Sequence, residues 1–255
     1  MPFPKTYPKN DRALRNPVNV LTAQKQREGG GFVVRRSVGS GVMETLDPFL
    51  LLDHMGPTVY KPGEAVGAPD HPHRGFETVT YVLDGGFHHQ DNAGNEGRLM
   101  PGWCQWMTAG RGIVHSEMPT EELLEKGGRM EGNCRKAFRR LVDKHTRTLG
   151  FQLWVNLPAK DKMTRPRYQD TPPERIPKVQ TPDGKGTVVV IAGQALGTKA
   201  YIETRSPVIY LDVQLASGGK YEDALSSDYS GFVYVYRGSA NFGNRLVMHQ
   251  HRALD

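Results

Sequence analysis

The chain has 255 residues, 37% of them hydrophobic, with 29 glycines, 18 prolines and a formal charge of +6. That length can bury a sizeable core, and so much glycine and proline favours turns over long helices. Two cysteines, Cys104 and Cys134, make neither a disulfide framework nor a zinc cluster and point to a reducing compartment, cytoplasmic or nuclear. The charge is spread along the chain rather than gathered beside aromatics, which argues against direct nucleic-acid binding, and no apolar run approaches the ~20 residues needed to span a bilayer.

The first twenty residues, MPFPKTYPKNDRALRNPVNV, lack the apolar core of a secretory signal. Pro2, Pro4, Pro8 and Pro17 interrupt any helix there, so the segment reads as an extended arm. From Gly31 onward short alternating segments are punctuated by turn residues. GFVVRRSVG (31–39) and LDPFLLLDHM (46–55) read as strands. FETVTYVLDGGFHHQDNAG (76–94) reads as a hairpin turning at Asp84-Gly85-Gly86, with a second turn at Asn92–Gly94. MPGWCQWMTAG (100–110) and GIVHSEM (112–118) continue in strand style.

Residues 119–148 break the pattern. Thr120 offers an N-cap, and Cys134, Ala137, Phe138, Leu141 and Val142 recur at helical spacing, which predicts a helical insertion. Its Arg135, Lys136, Arg139, Arg140, Lys144 and Arg147 suit a solvated face or a patch for an anionic partner. Strand character returns at FQLWVNLP (151–158), and a proline-rich stretch (165–184) follows as an ordered linker. TVVVIAG, KAYIETR, VIYLDVQL and GFVYVYRGSANFG then predict a second strand-rich region. Many short strands at regular spacing predict an all-β chain of two barrel-like or sandwich domains, residues 1–160 and 161–255.

The candidate chemistry lies in two dipeptide patterns. His71 and His73 flank Pro72, and His115 and Glu117 flank Ser116. In an extended strand residues i and i+2 share a face, so each pair can reach one point. Two such pairs on neighbouring strands supply three nitrogens and a carboxylate to one metal ion. The set lacks thiolate, which suits Fe(II), Mn, Ni, Cu or Zn. An ion preferring six ligands would keep two positions for a chelating substrate or dioxygen. Glu77, four residues beyond His73 and on its parity, is a competing carboxylate. It could orient a ligand imidazole or pair with Arg74 or Arg111. His249 and His251 form another His-x-His without a third ligand.

DHPHRGFETVTYVLDG (70–85) and QWMTAGRGIVHSEMP (105–119) resemble the two signature segments of the pirin family, a branch of the cupin superfamily. LDPFLLLDHM, FQLWVNLP and VVVIAGQALG (188–197) resemble further pirin segments, so the likeness runs from about residue 31 to 240. The resemblance implies a bicupin with Fe(II) in the N-terminal barrel only, held by His71, His73, His115 and Glu117, and places Glu77 beside that set. Some pirins are similar to quercetin 2,3-dioxygenases, which open a flavonol ring with dioxygen and release carbon monoxide; others act as nuclear co-regulators of transcription. The expectation is therefore a metal-dependent dioxygenase for a flavonol-like substrate and O2, with Glu117 accepting the hydroxyl proton. Phe76, Gln105 and Met107 are pocket candidates by closeness in sequence. The alternative is a non-catalytic iron-dependent module that binds a transcription regulator. The chain departs from the family in its 119–148 segment and in its ending, NRLVMHQHRALD, which predicts a C-terminal barrel short of its closing strands.

Overall fold

The computed structural model describes residues 15–61, 63–120, 147–243 and 245–248. The expected helical insertion falls almost wholly on residues 121–146, outside the described residues, as do Cys134, His249, His251 and the arm to residue 14. Among the described residues the chain is all β, save a 3-10 turn at Ala159–Asp161.

The first half contributes β1 (Gln24–Glu28), β2 (Phe32–Val38), β3 (Phe49–Val59), β4 (Ala68–His73), β5 (Phe76–Asp84), β6 (Phe87–Asp91), β7 (Glu96–Leu99), β8 (Cys104–Thr108) and β9 (Ile113–Pro119). β10 (Arg147–Asn156) and β11 (Arg167–Thr171) follow. They form a seven-stranded sheet in the order β1-β2-β3-β10-β5-β8-β11 and a four-stranded sheet in the order β4-β9-β6-β7. β11 follows residue 160 and still hydrogen-bonds to β8, completing the large sheet.

β-Branched and aromatic runs such as FETVTYVLD make these strands. The large sheet is covered on both faces, which is why β5 and β10 are apolar along most of their length. Its outer face sets Val79, Tyr81, Trp106, Phe151, Leu153 and Val155 against Ile176, Val189, Ile191 and Val208 from the second half. Between the two sheets Val34, Met55 and Val82 meet Phe87 and Leu99, while Met107 and Ala109 meet Ile113, with Tyr168 packed beside them.

Cross-strand register places a polar row between those apolar layers. Arg36, Asp53, Gln152, Thr80, Gln105 and Asp170 lie opposite one another on six adjacent strands of the large sheet. Arg36 donates to both oxygens of the buried Asp53, at 2.8 and 2.6 Å. Burial pushes the Asp53 carboxyl up despite the guanidinium beside it, so desolvation outweighs the attraction of the pair.

One sequence expectation fails here. β5 and β6 do not form a hairpin: β5 pairs with β10 and β8, and β6 with β7 and β9. Asp84-Gly85-Gly86, with Gly85 at φ +83°, is a corner that carries the chain from one sheet to the other. The true hairpin is β6–β7, closed at the second predicted turn.

The second half has β12 (Lys178–Gln180), β13 (Gly186–Ala192) and β16 (Tyr210–Leu215) in one sheet, ordered β12-β13-β16. β14 (Gln194–Ala195) with β15 (Thr198–Lys199), and β17 (Ser239–Phe242) with β18 (Arg245–Met248), make two ribbons. KAYIETR contributes only its first residue to a strand, and residues 231–238 form none. Phe232, Tyr234 and Tyr236 still alternate inward onto the core while Val233 faces out. The alternation that predicted a strand is present, but among the described residues no ladder partner lies beside it.

Candidate metal centre

β4 and β9 are neighbours in the small sheet, with His71 directly opposite His115. Both pairs project from one face, and His71, His73 and His115 each offer a ring nitrogen within 4.8 Å of the others. Their ring centroids are 4.6 to 5.0 Å apart. His73 and His115 are buried and His71 half-buried at the mouth.

The proton states suit a metal. His71 Nδ1 lies 2.7 Å from the Pro69 carbonyl, which can only accept, so the hydrogen of the neutral ring sits on Nδ1 and the lone pair on Nε2. Burial, helped by the nearby His115 and His71, pushes the His73 imidazole down to about 3, so it is neutral at physiological pH. His115 is lowered in the same way, against the pull of Glu117. Both ring nitrogens of His115 are buried without a hydrogen-bond partner. Orphaned polar atoms of that kind are rare in folded proteins, and a bound cation would satisfy the one His115 nitrogen that offers its lone pair. The residues present therefore fit a metal ion.

Glu117 shares the inner face of β9 with His115 and is 7% exposed. Its carboxylate is gripped at both oxygens: Thr80 Oγ1 donates to Oε1 at 3.1 Å and Gln152 Nε2 to Oε2 at 2.8 Å. The close cluster thus comprises the three imidazoles and leaves out Glu117, whose carboxylate acts on His115 and is held by the large sheet. Phe76 packs on the site, 5.2 Å from His73 by ring centroid and 4.7 Å from Trp154, whose own ring lies 5.3 Å from His73. Gln105 and Met107 are fully buried inside the barrel: Gln105 donates to Asp170 at 3.0 Å, and Met107 joins the apolar layer beside Ile113.

Glu77 is not beside the imidazoles. It lies on the opposite face of β5 from Thr80, on the side of Val79 and Tyr81, where Oε1 accepts from Thr108 at 2.6 Å. Burial pushes its carboxyl up. The cation acting on it is Arg205, not the expected Arg74 or Arg111. The parity argument failed at Gly75, whose φ of +82° turns the chain between His73 and Phe76 and reverses which face the following odd residues occupy.

Thr80, Gln152, Trp154 and the pair of buried His89 and half-buried Asp170, with His89 Nε2 3.1 Å from Oδ2, were not anticipated from the sequence. Gln152 and Trp154 alternate with Phe151, Leu153 and Val155, so the pattern alone could have flagged a polar inner face. A cavity of about 330 Å³ lies elsewhere, lined by residues including Arg27, Phe32, Tyr60 and Glu64, and none of the site residues borders it.

Residues 31–155 match the pirin family model. A pirin-like protein of Solanum lycopersicum is 42% identical over 89% of this chain and 68% of its own length. The chain belongs to the pirin family. Mouse pirin is 43% identical over 88% of the chain and 67% of its own length. A crystal structure of quercetin 2,3-dioxygenase from Acinetobacter baumannii superposes with a TM-score of 0.63 at 35% identity, covering 75% of this chain and 61% of that one. The chain thus spans about two thirds of the length of the curated relatives and less of that structure. The all-β architecture agrees with the cupin class expected of a pirin.

Proposed function

We propose that this pirin-family chain is an iron-dependent dioxygenase acting on flavonol-like substrates, with Fe(II) held by His71, His73, His115 and Glu117. The observation that carries the reading is the convergence of three imidazole nitrogens within 4.8 Å, with both nitrogens of buried His115 unpartnered. Its likeness to a quercetin 2,3-dioxygenase supports the choice of reaction. Imidazole and carboxylate ligands suit Fe(II), and the bound ion would supply Lewis acidity for an enolic oxygen and for dioxygen.

The chain's own residues would do the rest. Phe76 and Trp154 form an aromatic wall next to His73, suited to a flat polyphenol. Glu117, reached from the floor by Thr80 and Gln152, keeps lone pairs for the hydroxyl proton of such a substrate. His73, His115, Glu117 and Thr80 are buried, which would limit water at the reacting atoms. The regulator reading draws on the basic 119–148 segment, most of which lies outside the described residues, so no observation favours it here. Iron-loaded protein should consume quercetin and dioxygen together, and a His73→Ala variant should not. Equal turnover by that variant would refute the assignment.

A further inference from the structure

Glu117 is a buried carboxylate held by two donors, and one donor is itself held. Gln152 and Trp154 project from the same face of β10, two residues apart. Trp154 Nε1 donates to Gln152 Oε1 at 3.3 Å, and Gln152 Nε2 donates to Glu117 Oε2 at 2.8 Å. An indole N–H can only donate and an ionised carboxylate can only accept. The side-chain amide between them therefore has one permitted orientation, nitrogen toward Glu117. Thr80, opposite Gln152 in the register of β5 and β10, donates to the other oxygen at 3.1 Å. Each oxygen is thus engaged from the large sheet and retains one free lone-pair direction.

We propose that Trp154, Gln152 and Thr80 are positioning residues that set the direction in which Glu117 presents its carboxylate to the metal. This rests on the reading of Glu117 as a ligand. Trp154 has two duties: its ring packs on Phe76 and His73, while its N–H locks the amide. The aromatic wall and the donors to Glu117 are carried together by β5 and β10 in the interior of the seven-stranded sheet, and they reach across to Glu117 on β9 of the small sheet. Groups that orient metal ligands in this way typically change affinity ~10–100-fold when removed.

The test uses the metal-stripped 255-residue chain titrated calorimetrically with Ni(II), and its Co(II) form read by visible absorption. Gln152→Leu and Thr80→Val should each weaken Ni(II) binding at least ~10-fold and shift the cobalt bands. Trp154→Phe keeps a ring against Phe76 but removes the N–H. It should shift the bands in the same direction, with a smaller loss of affinity. Thr80→Ser retains the hydroxyl and should match the parent protein. Circular dichroism and melting curves identify any variant that fails to fold; the remaining variants then carry the comparison. The proposal is overturned if the folded variants bind Ni(II) like the parent and leave the cobalt spectrum unchanged. A parent protein that binds neither ion would remove the metal reading and this inference with it, a result distinct from the first.

Discussion

His73 should make the metal-free protein acid-sensitive in a window set by its burial. The imidazole falls from an ordinary value of 6.5 to about 3, chiefly because burial disfavours the cation, with nearby His115 and His71 adding to the effect. Its depressed value means that the unfolded chain takes up the proton first as pH falls. Stability is therefore unaffected by this group well above 6.5, declines below it, and levels off near 3. At 6% exposure His73 has little solvent to screen the effect. Linkage gives a loss of ~1.4 kcal/mol at about pH 5.5 and ~2.7 kcal/mol at about pH 4.5. Those losses correspond to a fall of several degrees in melting temperature for a chain of this size. The assay is urea unfolding of metal-stripped protein between about pH 7.5 and 4.5, compared with His73→Gln, which is neutral throughout. The parent should lose stability with acid faster than the variant by these amounts. Parallel curves would show that burial does not hold His73 neutral.

Two further predictions test the faces assigned to β5 and β6. Glu77→Gln should leave Ni(II) affinity unchanged in calorimetry, because Glu77 bonds Thr108 on the far side of β5; a ten-fold loss would return it to the metal centre. Gly97→Ala should destabilise by ~1–3 kcal/mol in a denaturant melt. A methyl group there would collide with His89 Nε2 and crowd Asp170, and an unchanged midpoint would show that the His89–Asp170 pair is not packed as described.

The three clustered imidazoles were legible because they depend on local rules. His-x-His and His-x-Glu each place two side chains on one strand face, and the surrounding alternation marks both segments as strands. The breakdowns of the parity argument share a cause. At Gly75 and at Gly85-Gly86 a glycine with positive φ changes the chain's direction, so a residue count across it misplaces Glu77 and invents a hairpin. Residues 231–238 show the converse: alternation survives in Phe232, Tyr234 and Tyr236, but a strand also needs a neighbour to bond, which no residue type records.

What the sequence determined alone was the all-β class, the positions of most strands, the His71, His73 and His115 set and the family. These follow from period-2 patterning, turn residues and motif identity, all of which act over a few neighbouring positions. What only the tertiary structure decided is which strands lie side by side. β10 enters between β3 and β5, far along the chain from both. That insertion alone brings Gln152 opposite Thr80 and beneath Glu117. Strand order is set by burying both faces of the large sheet at once, a requirement of the whole molecule that no single segment carries.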